Sequence, residues 1–108
     1  MSIRVKKSVL RIADDLVSND RQKQYGHPAQ NFRDIALIAS AITGKDFTAE
    51  DCVKILIATK LGRLKFQFKT DSLVDLAGYV KVWELVRTHQ KRIESHKVII
   101  KQDKVNRR

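Results

Sequence analysis

Apolar residues recur along this chain at steps of three and four, the spacing of helix faces rather than of strands. The pattern predicts a first helix over residues 3–18, with Val9, Leu10, Ala13, Leu16 and Val17 on its apolar face. Asn19-Asp20 suits a helix end or turn, and the polar stretch from Asp20 to Pro28 reads as a connecting loop. Pro28 fits the first position of a second helix, where its missing N–H is no loss. That helix runs to about Ile42, burying Phe32, Ile35, Ala36, Ala39 and Ile42, and Gly44 suits a left-handed cap. Thr48-Ala-Glu-Asp51 has the form of a capping box and opens a third helix that reaches about Phe66. A fourth starts near Asp71 and runs beyond Val86, with apolar positions on most of its circumference. A helix of that kind is central or lies between copies of the chain. Val98-Ile-Ile100 fits either a helix end or a small strand. The expectation is an all-α, four-helix bundle: a single helical domain over residues 1–90 with a basic C-terminal extension over 91–108.

Length and composition narrow the class. A chain of 108 residues holds one core, and 43% hydrophobic with 31% charged residues is a globular balance, not a disordered one. No apolar run approaches the roughly 20 residues that span a bilayer. The basic N-terminus has no apolar block behind it, so neither a membrane span nor a secretory signal is expected. Cys52 has no cysteine to pair with, which suits a reducing cytoplasm. Of the formal charge of +10, half lies in residues 91–108, where seven Lys or Arg face only Glu94 and Asp103. Such a tail holds nucleic acid through counterion release, or else serves as a solvated terminus.

Charges inside the helical stripes mark the candidate chemistry. Lys60 falls within the apolar stripe Val53, Leu56, Ile57, Leu61, Leu64, and Arg63 lies close to the direction of Leu56. Asp71 and Asp75 stand one turn apart among apolar neighbours. Unpaired charges in a core cost several kcal/mol each, so they pair, bind something or reach water. Two aspartates at i and i+4 suit a shared divalent cation such as Mg2+. Asp71 equally suits a helix start, and Asp75 an ion pair with Lys60 or Arg63. Both cations can snorkel to water, or they can form a phosphate site. A third cluster, Tyr25-Gly26-His27-Pro28, joins a stacking ring, a flexible backbone and an imidazole just before a helix N-terminus, with Arg21 and Lys23 nearby. It reads otherwise as a turn in which His27 caps the helix. The sequence has no Gly-rich phosphate loop, zinc-spaced Cys/His set or nucleophile elbow, so metal-assisted attack of water on a phosphate would suit these residues best.

The motif Asp20-Arg21-x-x-x-Tyr25-Gly26-His27-Pro28-x-x-Asn31-Phe32, with Lys60-x-x-Arg63-Leu64 and Asp71-Ser72-x-Val74-Asp75-x-Ala77-Gly78-Tyr79, resembles a family of small phage and prophage proteins of unassigned function. The resemblance covers residues 8–88 or so. The Asp71–Tyr79 segment is more distantly similar to the second half of the signature of MazG-like all-α nucleoside triphosphate pyrophosphohydrolases. Two helices of that superfamily carry acid sets that hold magnesium on a triphosphate; here Asp75 matches the closing acid, and Lys60 and Arg63 replace glutamates. The resemblance implies a MazG-like bundle that assembles as an oligomer. It also implies a nucleotide ligand, either hydrolysed with Mg2+ or held without turnover. On this reading Asp71 and Asp75 are metal ligands, completed if at all by Asp34, Asp14 or Asp15. Lys60 and Arg63 contact phosphate, and Arg21, Tyr25, His27 and Asn31 line the ligand. The other class is a basic nucleic-acid-binding accessory protein working through its tail.

Overall fold

Ser8 opens the first helix, its hydroxyl accepting from the Arg11 N–H at 3.2 Å. The computed structural model describes the backbone of residues 6–106 and the side chains of 6–19 and 21–92. Helix α1 (Val9–Asp15) does not stop at Asn19-Asp20. It widens into a π turn over Leu16–Asp20, whose backbone stays paired through the Arg21 N–H to the Leu16 carbonyl, and continues as α2 (Arg21–Tyr25). Part of the expected loop is therefore helical. The residues that usually terminate a helix are absorbed here by one wider turn. Residues 6–8 precede the helix, and 3–5 lie outside the described residues.

Gly26, at φ 76°, ends α2, and its N–H donates to the Gln22 carbonyl at 2.9 Å. His27 caps α3 (Pro28–Thr43), which Gly44 closes at φ 69°. Thr48 and Asp51 exchange both capping-box bonds, at 3.1 and 3.0 Å, to open α4 (Ala49–Phe66). Gln67 is extended, and α5 (Thr70–Asn106) follows without a break at residue 90. The backbone at 98–100 is helical rather than strand. Among the described residues the fold is all-helical.

Helix α5 is the hub, with α1, α3 and α4 all packed on it. Val17, Phe32, Ala36, Cys52, Val53, Val82 and Val86 form the core, and Val53 is 0% exposed. Lys81 fastens α5 to the first rod through Asp14 and through Ser18 at 2.6 Å. Several expected core positions lie outside. Leu10, in the first turn of α1, is 73% exposed. Ile42 is 80% exposed in the last turn of α3. Leu61 of α4 is exposed too, as is Val80 of α5, whose apolar circumference is thus only partly covered within one chain.

Candidate functional site

The π turn, α2 and the Gly26 bend bring Arg21 and Tyr25 over the start of α3 and the first third of α5. Between them lies a cavity of about 240 Å³. Its deeper wall is apolar, from Val17, Pro28, Phe32, Val74 and Val82, all buried. Arg21, Tyr25 and Gly26 form its exposed side, and Asn31, Asp75 and Tyr79 line it at intermediate depth. An apolar hollow with a few convergent polar groups is the usual form of a small-molecule site. Among the described residues, neither the Arg21 guanidinium nor the Asn31 side-chain amide makes a hydrogen bond to the protein, and both border the hollow. Gly78 lies buried on the same wall, where a Cβ would meet Val17 Cγ2 at 3.4 Å.

Lys60 and Asp75 meet across α4 and α5, Nζ to Oδ2 at 2.8 Å, with side chains 13% and 30% exposed. One of the sequence's alternatives for Asp75, an ion pair with Lys60, is thus realised. Asp75 reaches the cavity while Lys60 does not line it. Arg63 and Asp71 are exposed and away from it. Asp71 sits in the first turn of α5, where a carboxylate favours the helix dipole. The four charges that the sequence placed together therefore separate into one bonded pair and two solvent-facing groups.

The remaining acids do not supplement Asp75. Asp34 accepts from Gln30 Nε2 at 3.0 Å, Asp14 pairs with Lys81, and Asp15 pairs with Lys7 at 3.1 Å. None of the three lines the cavity. Among the described residues no three His, Cys, Asp or Glu gather in a group able to hold a metal ion. His27 also stays outside the hollow: its Nδ1 accepts from the Ala29 N–H at 3.1 Å. Its ring lies 5.9 Å from that of His89, which is half-buried there.

Glu50 organises a polar cluster that helical spacing alone did not reveal. Its Oε1 accepts from Trp83 Nε1 at 2.6 Å and from Arg87 Nε at 2.8 Å, while Lys54 Nζ stands 5.5 Å from the centre of the Trp83 ring. The Trp83 hydrogen bond, helped by Arg87 and opposed by burial, holds the Glu50 carboxyl below its ordinary range. The signal in the sequence was a tryptophan inside an apolar helix, since a buried indole N–H seeks an acceptor. Asp51 is likewise held low by its bonds to Thr48, whereas burial, with Asp51 nearby, raises the Cys52 thiol and keeps it protonated.

Residues 8–87 match the family described as "Domain of unknown function (DUF6378)". Over 74 residues the chain is 39% identical to the Gene 55 protein of Mycobacterium phage D29, covering 68% of this chain and 49% of that protein. It is 33% identical over 79 residues to the Gene 55 protein of Mycobacterium phage L5, covering 71% of this chain and 51% of the relative. The chain spans about half the length of these curated relatives. No solved structure matches it. Every residue lining the cavity falls within the matched span, and residues 88–108 fall outside it.

Proposed function

The chain belongs to the DUF6378 family, and from that premise we propose that it binds a nucleotide, or a closely similar ring compound bearing phosphate, in the cavity between its first helical rod and α5. The observation that carries this reading is the pairing of an apolar, aromatic-edged hollow with polar side chains, Arg21 and Asn31, that lack partners of their own among the described residues. Tyr25, Phe32 and Tyr79 offer faces for a planar base. Arg21 on the open side is a bidentate donor for phosphate. His27 shapes the entrance by fixing the start of α3. The scaffold we have in mind is MazG-like and acts in the cytoplasm of a host cell. Its outward Leu37, Ile38, Ile42 and Phe66 join copies into an oligomer; light scattering at micromolar concentration returning a monomer mass would remove that part.

Binding without hydrolysis fits these residues better than pyrophosphohydrolysis. Magnesium on a triphosphate needs several carboxylates, and among the described residues the cavity offers Asp75 alone, already neutralised by Lys60. With Asp71 exposed and away, the residues do not form the acid set of a metal-dependent hydrolase. Thermal shift across nucleotides, with and without magnesium, tests the reading, since a ligand bound to the folded state raises its melting temperature. A rise that needs no magnesium and is lost in Arg21→Met supports it. No rise with any nucleotide refutes it, and release of pyrophosphate would restore the enzymatic version.

One further observation favours a second reading. A cleft over α3, α4 and α5 is bordered by Arg33, Arg87 and Lys91, from which α5 continues into the basic tail. Steeply salt-dependent DNA or RNA binding that vanishes on deletion of residues 91–108, with no nucleotide binding, would favour the accessory nucleic-acid class.

A further inference from the structure

Resting on the nucleotide reading above, we infer that Asp75 selects the ligand by its base and that the base it selects is guanine. The carboxylate meets Lys60 Nζ at 2.8 Å and lines a cavity that the lysine does not enter. It therefore presents acceptor oxygens, and no donor or positive charge, to whatever occupies the hollow. A phosphate group finds no donor on that wall and is drawn instead to Arg21 on the open side. The end of the ligand that reaches Asp75 is uncharged and rich in N–H donors.

Base chemistry then decides among ligands. On its Watson–Crick edge guanine carries two adjacent donors, N1–H and the N2 amino group, followed by the O6 acceptor. Adenine and cytosine set a ring acceptor beside their amino group, and uracil sets one N–H between two carbonyls. Each of these would turn a lone pair toward the carboxylate. Oδ2 of Asp75 faces Lys60 Nζ in an ion pair, while Oδ1 makes no hydrogen bond among the described residues. A carboxylate has about four acceptor positions, so enough remain for a pair of ring donors. Asn31, across the cavity on α3, supplies the amide donor that O6 needs, and Phe32 and Tyr79 flank the ring.

The experiment is calorimetric titration of the full chain, without added metal, with the monophosphates of guanosine, inosine, adenosine, cytidine and uridine. Guanosine monophosphate is expected to bind about ten- to a hundredfold more tightly than the adenosine, cytidine and uridine forms, the discrimination of one good bidentate pair. Inosine monophosphate, which lacks only the N2 amino group, falls between. In Asp75→Asn the preference for guanine collapses while the helical circular dichroism is retained. Equal affinity for all five, or an unchanged preference in a folded Asp75→Asn, overturns the assignment of Asp75 and leaves the nucleotide reading standing. Absence of binding by any of the five overturns both. Should Asp75→Asn fail to fold, the guanosine–inosine comparison decides alone, and equal affinity for those two overturns the inference.

Discussion

A cation set in an apolar stripe meets a carboxylate across two helices. Lys60 stood out in the sequence because unpaired buried charge is costly, and the same cost explains why Asp75 meets it. Arg63 was not separable from Lys60 by spacing. A side chain three residues along points about 60° away, which here is enough to leave it in water. His27 and Glu50 give two predictions at this scale. His27 is a structural cap, so His27→Ala lowers stability by about 1 kcal/mol while His27→Asn, a stronger cap, does not, as read by urea unfolding. A loss of ligand binding in a stable His27→Asn would contradict that role. Glu50 titrates lower in the folded chain than in the unfolded one. Its contribution is therefore complete above the unfolded value of about 4.3 and fades as pH falls through the folded value. The stability gap between the parent chain and Glu50→Gln should accordingly shrink on acidification below that value, with Trp83 fluorescence as the probe. A gap independent of pH would separate Glu50 from acid sensitivity.

At the scale of elements, local chemistry made two helices legible almost to the residue. Pro28 and Gly44 bracket α3, and the Thr48–Asp51 box starts α4. The first rod was misread because its terminating signals are local while the reason it continues is not. Ser18 and Asp14 are held to Lys81 of α5, and Val17 is packed in the core, so tertiary contacts carry the chain through Asn19-Asp20. The π turn has a consequence for the site. It places one more residue in the turn than an α-helix would, and so sets the direction in which α2 presents Arg21 and Tyr25. Deleting Ser18 restores α spacing and swings α2 by roughly 100°. The expected result is a folded, helical protein whose nucleotide-dependent rise in melting temperature is lost. Retention of the full rise would show that the π turn does not orient the site.

For the whole molecule, hydropathy indicated that α5 is central but not how much of it one chain covers. The exposed Val80, and Phe66 at 92% exposure, are the surplus that an assembly would bury. The cavity itself was only partly legible: motif residues 21, 25, 31 and 75 line it, whereas 27, 60, 63 and 71 do not, because joining the rod to α5 is a tertiary event. Charge divides along the same boundary, with half of the +10 in residues 91–108. Removing residues 93–108 should leave nucleotide binding intact and weaken any association with polyanions, monitored by salt-dependent anisotropy; loss of nucleotide binding would tie the tail to the cavity. The central claim, that the hollow between the first rod and α5 is the ligand site, is tested most directly by nuclear magnetic resonance of the isotope-labelled chain during addition of guanosine monophosphate. The account predicts saturable shifts at the backbone amides of Arg21, Gly26, Asn31, Asp75, Gly78 and Tyr79. Shifts confined to the Arg33–Arg87–Lys91 cleft and the basic tail, or none at all, would contradict it.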